Sequence, residues 1–365
     1  MNVAWLRFMT QFIRLSCEAC PAKKVIILAV LSSALFSVAG CENDCDATWM
    51  VFKDDVLAAF QDRLSVMGDG VVAGTQGVVL RFEATGSFHA EFEARVGAQK
   101  NGDPKDVYAN GDKSKTFVIV GGEGMLQISL DGGDKWFLPD IQEPPLAESS
   151  TLLSAVDFGC TPNGLQSDHG IVVGDDVILL TGDAGLSWTR SQFEMNLSLS
   201  DVKVLNGGVA LATGENVILR TEDFGVTWNV AHMFGGDDER LSWIASKVCK
   251  IPYATSGRSV VVGGDRGGFL VSNDSGVTWE EISGPQSGSP LSSFDVIAED
   301  KSGLLVGRGV AADELWGFHR DSVDFWTKTH TFDSPIRSVI WKYDAFLDEQ
   351  GAFIVRSMSG SCHPR

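Results

Sequence analysis

The chain has 365 residues, 48 acidic against 29 basic, and a formal net charge of −19. Such a field repels nucleic acid, whose binding depends on Lys and Arg neutralising phosphates. It also disfavours direct adsorption to an anionic bilayer, while basic partners and cations would be attracted. Forty glycines and few long helical patterns agree with an all-β chain.

Residues 1–40 do not read as part of the fold. Val25 to Ala39 carries no charge and follows Lys23 and Lys24, the pattern of a secretory signal rather than a spanning helix. It ends Val38-Ala39-Gly40-Cys41, which resembles the lipobox of bacterial lipoproteins. That resemblance implies lipidation at Cys41, which becomes the new N-terminus. Glu42, in place of an aspartate, favours the outer membrane of the cell envelope. The expected organisation is a signal peptide over 1–40, a lipidated tether over 41–46 and a single domain over 47–365. The leader holds four basic residues and one acid, so its loss takes the charge to −22.

Within the domain, Asp54 to Arg63 hints at a helix outside any repeat. Val71–Gly74 (VVAG) and Val78–Ala84 (VVLRFEA) read as strands from their β-branched runs. Lys100 to Lys115 reads as a polar connection that includes Tyr108, and Gln142 to Ser150 as an exposed link. Phe234 to Arg240 reads as an acidic loop and a candidate contact. Ser259–Gly264 (SVVVGG) is a strand, "DRG" turns it, and Gly268–Ser272 (GFLVS) is the next strand. Ile336 to Tyr343 and Gly351 to Ser357 read as two late strands. With Ala47 to Phe52 they complete one last sheet and leave no open edge.

Between these strands an octet recurs, Ser/Thr-x-Asp-x-Gly-x-x-Trp. It is best formed over Ser272, Asp274, Gly276 and Trp279. Ser129, Asp131, Gly133 and Trp136 match it, as do Thr181, Asp183, Gly185 and Trp188, and Thr221, Asp223, Gly225 and Trp228. A degraded copy keeps only Asp321 and Trp326, and Arg81 to Phe88 keeps a carboxylate and an aromatic. The tryptophans step by 52, 40, 51 and 47 residues. Periods of this size mark stacked supersecondary units such as propeller blades. A glycine closing a β-branched run moves in register, at Gly74, Gly122, Gly174, Gly214, Gly264 and Gly307. In each octet the carboxylate and hydroxyl are suited to bonding nearby main-chain groups. The glycine tolerates a positive φ, and the tryptophan covers a large apolar area of its own sheet. These are structural staples. One carboxylate per octet falls short of the six or more oxygens that calcium takes, so no metal is expected at them.

The octet resembles the BNR or Asp-box repeat of sialidases, sortilin-type receptors, some glucanases and the photosystem II assembly factor-like family. The last is the most similar in repeat length and exported address. The resemblance implies an all-β, seven-bladed β-propeller, with six blades as the alternative. In those families the box joins the outer two strands of a blade, away from the ligand face.

Four cysteines remain after the leader and Cys41, namely Cys45, Cys160, Cys249 and Cys362. An even number in an exported protein suggests disulfides, though four cysteines allow three pairings. A closed ring brings its ends together, which favours Cys45–Cys362 and leaves Cys160–Cys249.

No catalytic constellation emerges. The sialidase resemblance would require an early Arg-Ile-Pro; Pro335-Ile336-Arg337 is reversed and late. A pair of glycosidase carboxylates is a matter of separation across a cleft, which spacing along the chain does not supply. The six histidines are scattered, and the glycines of Gly263 to Gly268 open a hairpin rather than a phosphate-cradling helix. The expectation is a monomeric, non-enzymatic platform without cofactor or metal. It would bind an envelope protein or a glycan, touch the membrane only through its lipid, and leave nucleic acid alone. The alternative is a glycoside hydrolase acting on extracellular glycans.

Overall fold

A computed structural model describes residues 47–52, 64–68, 71–85, 89–96, 102–109, 116–142, 151–160, 166–191, 193, 197–205, 207–234, 241–246, 259–265, 267, 269–287, 289–299, 305–319, 325–340 and 345–358. The leader, Cys41, the Asp54–Arg63 stretch, Gly235–Arg240, Asp321, Cys45, Cys249 and Cys362 lie outside them. The chain divides into two compact units, residues 51–355 and residues 1–50 with 356–365. Of the smaller unit, the described residues are strand residues 47–50 and 356–358.

The described residues form seven sheets, and β-strands dominate throughout. Leu64–Gly68 (β2), Val71–Gly74 (β3), Val78–Thr85 (β4) and His89–Val96 (β5), after β1 (Ala47–Phe52), make a four-stranded meander. Pro104–Ala109 (β6), Phe117–Gly121 (β7) and Leu126–Ser129 (β8) form the second sheet. The third is built from Leu153–Cys160 (β10), Gln166–Gly174 (β11), Val177–Thr181 (β12) and Ser187–Arg190 (β13). A two-residue strand, β9 (Asp140–Ile141), leaves the second sheet and pairs in parallel with β13. Leu199–Val204 (β14), Ala210–Gly214 (β15), Val217–Thr221 (β16) and Asn229–Met233 (β17) make the fourth sheet. The fifth is Leu241–Ser246 (β18), Val260–Gly264 (β19), Phe269–Ser272 (β20) and Glu280–Glu281 (β21). The sixth is Ser293–Glu299 (β22), Leu305–Ala311 (β23), Glu314–His319 (β24) and Trp326–Thr331 (β25). In the last sheet Ile336–Ile340 (β26), Ala345–Asp348 (β27) and Phe353–Met358 (β28) are joined by β1, in the order β1-β28-β27-β26.

Two readings of the sequence need correction here. Residues 104–109 are not part of a polar connection but β6, the first strand of the second sheet, and Tyr108 lies on it. The segment PKDVYA has no β-branched run to announce it, and its strand character comes from pairing with the apolar β7. The glycine mark in this sheet is Gly121 rather than Gly122, because Gly121 pairs with Pro104 as Gly174 pairs with Leu153 and Gly214 with Leu199.

Within residues 51–355 the first strand of each sheet lies beside the first strands of its neighbours, in the order β26, β2, β6, β10, β14, β18, β22. Arg337 on β26 donates to the Leu64 carbonyl on β2 at 2.7 Å, which ties the β26 strand of the last sheet to the first sheet. The apolar core sits between sheets rather than under one of them. Val118, Val120, Leu126 and Ile128 of the second sheet pack on Leu153, Phe158, Leu179 and Trp188 of the third. Trp243 and Phe269 of the fifth pack on Phe294, Trp316 and Phe318 of the sixth. Each seam thus buries the faces of two twisted sheets, as the non-directional hydrophobic term favours. This is the architecture of a β-propeller.

Candidate functional site

Each octet is the turn that follows the third strand of its sheet, leading into a fourth strand in the third, fourth and fifth sheets, and the bonds repeat atom for atom. The first-position hydroxyl of Ser129, Thr181, Thr221 or Ser272 donates to Oδ1 of the aspartate at 2.7–2.9 Å. The same hydroxyl accepts the glycine amide of Gly133, Gly185, Gly225 or Gly276 at 2.8–3.0 Å. The aspartate Oδ1 also accepts the amide of the residue before the tryptophan, at 2.8–2.9 Å. In three octets that residue is Ser187, Thr227 or Thr278, whose hydroxyl donates to Oδ2 at 2.6 Å. This fourth bond was not part of the sequence reading, although a hydroxyl residue at the seventh position signals it.

Backbone geometry explains the glycine. The fourth and fifth octet residues are both left-handed, with φ of 61° at Ala184 and 94° at Gly185. The tryptophan follows, and Trp188 is fully buried. Its indole Nε1 donates to the Gly185 carbonyl at 2.9 Å, as Trp136 does to Gly133 at 3.1 Å. In the fourth sheet the Gly225 carbonyl instead accepts from Ser191 Oγ at 3.0 Å, and Trp228 Nε1 has no partner among the described residues. Trp326 donates to the Ser283 carbonyl.

Every octet carboxylate of these four turns is held below the usual carboxylate range. For Asp131 the leading cause is the Lys135 amide, and for Asp223 the Thr227 hydroxyl. For Asp183 and Asp274 partial burial opposes the shift, and hydroxyl and amide donors outweigh it. A depressed folded-state pKa means stability that is present above the ordinary aspartate range and lost as pH falls through the folded value. These groups are consumed by their own turns and present no free chemistry.

A second set of carboxylates converges elsewhere, on the first strands of three successive sheets. Asp106 on β6 accepts the Val156 amide of β10 at 2.9 Å through Oδ2, and its own neighbour Val107 at 2.8 Å through Oδ1. Asp157 on β10 accepts the Val204 amide of β14 at 2.8 Å. Asp201 on β14 accepts the Ile244 amide of β18 at 2.6 Å, and that of Val202 at 2.7 Å. Lys203 lies 3.1 Å from Asp157, with 29% of its side chain exposed against 11% for the aspartate.

Burial dominates the electrostatics of this cluster. It pushes Asp106 up to about 6, against the pull of the two amides and with help from the Asp157 charge. Burial, then the Asp106 charge, pushes Asp201 up to about 7. Asp157 is also raised by burial, more than Lys203 lowers it, and Lys203 is raised because, against its own desolvation, the pull of Asp157, Asp201 and Asp106 together prevails. Among the described residues no group of three His, Cys, Asp or Glu side chains is arranged to hold a metal ion.

Two clefts lie among the described residues. One of about 630 Å³ lies between the third and fourth sheets, lined by Leu180, Arg190, Phe193, Val226 and Trp228 among others. The other, about 330 Å³, is walled by Asp265, Phe269, Pro285, Ser287 and Leu291 among others. Cys160, at the end of β10, is disulfide-bonded, and its partner lies outside the described residues. No helix of the described residues is long and apolar enough to cross a membrane.

No protein-family model and no curated protein matches the chain. Solved structures do. YCF48 from Cyanidioschyzon merolae is similar at 13% identity and a TM-score of 0.58, over 85% of this chain and 98% of that one. The computationally designed Ika8 protein is similar at 10% identity and a TM-score of 0.54, over 81% of this chain and 96% of that one. The extracellular domain of the one-component system BT4673 of B. thetaiotaomicron is similar at 12% identity and a TM-score of 0.54, over 83% of this chain but 42% of that chain. At such identities the likeness carries the fold alone: the chain is an all-β protein of the β-propeller class.

Proposed function

We propose that the chain is a seven-bladed propeller of the Asp-box type that acts as a non-enzymatic binding or assembly platform in the bacterial cell envelope. Each of the seven sheets then counts as a blade, and β1 completes the last of them. Cys41 carries the lipid that anchors the mature chain. The partner is an envelope protein or a glycan, and Cys160–Cys249 and Cys45–Cys362 are the proposed disulfides. The photosystem II assembly factor-like resemblance supports the platform role, without its photosynthetic client.

One observation carries the reading. The acidic groups that a hydrolase would deploy are already committed, the octet carboxylates to their own turns and the inner-strand ones to the amides of the next sheet. A group that accepts two structural hydrogen bonds is poorly placed to shuttle protons to a substrate. The hydrolase reading keeps one argument, since Asp106 and Asp201 sit near neutrality as a general acid would.

Fractionation tests the address. In a bacterial host the wild-type chain is expected in the membrane fraction and released by detergent, and Cys41→Ser in the soluble fraction. Wild-type protein in the soluble fraction would remove the lipid anchor from the proposal. A pull-down from the native envelope with the anchored protein would then name the partner.

A further inference from the structure

The outer edges of the third and fourth sheets differ, although their octets match. In the third sheet β9 lies in parallel against Ser187 and Trp188. The Asp140 amide donates to the Leu186 carbonyl at 3.1 Å, and the Gln142 amide to the Trp188 carbonyl at 2.9 Å. Ile141 packs on the apolar cluster that contains the fully buried Trp188. The same stations in the fourth sheet, Val226 to Trp228, carry no strand. There β17 starts only at Asn229, whereas β13 starts at Ser187. No described backbone amide donates to the Val226 or Trp228 carbonyl.

The link between the two sheets explains the difference. Phe193 stands five residues after Trp188, as Ile141 stands five after Trp136, and it too packs on an apolar cluster. Ser191, however, takes the station of Pro139 and brings a hydroxyl that proline lacks. That hydroxyl donates to the Gly225 carbonyl at 3.0 Å and accepts the Phe193 amide at 3.4 Å, which closes a local turn in place of a strand. Trp228, 6% exposed, is left with an indole Nε1 that has no partner among the described residues. Between link and octet lies the cleft of about 630 Å³, walled by Phe193, Val226 and Trp228 among others. Arg190 is the one charged residue of its lining; it donates to the Asp176 carbonyl at 2.6 Å and keeps further N–H groups for a carboxylate. Farther along the edge, β17 reads NVAHM and lacks the charges that guard other outer strands, Lys328 on β25 and both glutamates of β21.

We infer that this edge is a strand-addition site for an extended peptide segment of a partner protein, one that sets an aliphatic side chain beside an acidic one as β9 does. The partner's strand runs parallel to Thr227 and Trp228 and donates two amides to the Val226 and Trp228 carbonyls. Its aliphatic side chain enters the cleft against Phe193, and its acid suits Arg190. Main-chain bonds give such a contact affinity, and the cleft gives it selectivity. A second copy of this chain would bring the same net charge of −19, which opposes self-association. The inference rests on the platform reading and names the class of partner; its test involves neither the anchor nor turnover, so the two fail separately.

The probe is a capped synthetic peptide that copies Phe137 to Glu143 (FLPDIQE), titrated into the intact chain labelled with nitrogen-15 at tryptophan. The amide and indole signals of Trp228 are expected to shift saturably, with a Kd of about 0.1–1 mM, while those of Trp188 hold. A peptide N-methylated at its aspartate and glutamine lacks the two donors and should bind about tenfold more weakly. Val226→Asp, at a site 60% exposed, should weaken binding severalfold without unfolding the chain. No saturable shift at Trp228, or equal binding of the methylated peptide, would overturn strand addition. So would shifts at Trp188 instead, since the peptide would then only have replaced its own copy in the third sheet. Trp228 signals that move with protein concentration alone would give the edge to a second copy and equally overturn the proposal.

Discussion

Replacing Trp188 by alanine is expected to cost about 4 kcal/mol of stability, the range for deleting a large buried aromatic. Trp188 is fully buried and lies among Ile128, Phe158 and Leu179, with the Phe158 ring edge-on at 5.9 Å. Three links meet in this one side chain. It ends the octet turn, its indole closes that turn on the Gly185 carbonyl, and its ring fills the seam with the second sheet. Trp188→Phe keeps most of the buried area and loses the N–H, so its cost should be less than half as large. Trp136→Ala, at a half-buried site, should fall between the two. Urea denaturation followed by circular dichroism would rank the three. A Trp188→Ala cost near that of a surface substitution would remove the octet from the core.

Gly174→Ala is expected to be of similar severity, for a reason that has nothing to do with hydrophobicity. A Cβ at this position would lie 1.9 Å from the Leu152 carbonyl oxygen and 2.9 Å from Leu153 Cα. These are backbone atoms, so no rotamer relieves the clash, and the β10–β11 register must shift. Gly214 repeats the arrangement in the next sheet, with the Ser198 carbonyl oxygen at 2.3 Å. Both glycines pair with the leucine that opens the inner strand, just before its bulge. The expected loss is roughly 3 kcal/mol or more, in the class of overpacking and backbone strain. Gly207→Ala is the control: its φ is +70° but nothing lies within 4 Å, so it should cost only about 1 kcal/mol. Thermal melts of the two variants should therefore separate widely. Equal melting temperatures would mean that the close approach at Gly174 does not exist in solution.

These two positions also show how far the sequence could be read. The octets were legible because their chemistry is local: hydroxyl, carboxylate, glycine and ring all act within eight residues of one another. The recurring glycine was legible as a mark, but its cause was not, because the carbonyl it accommodates belongs to the residue that leads into another strand. β6 was missed since its residues alternate polar and apolar weakly and owe their shape to β7. The inner-strand aspartates were missed for a related reason. Asp106, Asp157 and Asp201 each bond an amide 43 to 50 residues further on, about one repeat away. Their signal was present in the spacing, since they recur ahead of Trp136, Trp188 and Trp228 by 30, 31 and 27 residues. It is faint because one aspartate per repeat is unremarkable in a chain this acidic. Their bonds to amides of the next sheet, which separate these aspartates from the surface ones, are a property of the folded chain.

The distinction between committed and available carboxylates is what the functional reading rests on. Turnover tests it most directly. Purified protein from Cys41 onward should be offered sialosides and β-glucans from pH 5 to 8, beside the same chain carrying Asp106→Asn and Asp201→Asn. The platform reading predicts no hydrolysis above the buffer rate in either. Hydrolysis by the wild-type chain that is lost in the variant, with the variant still folded, would make these aspartates a catalytic pair and contradict it.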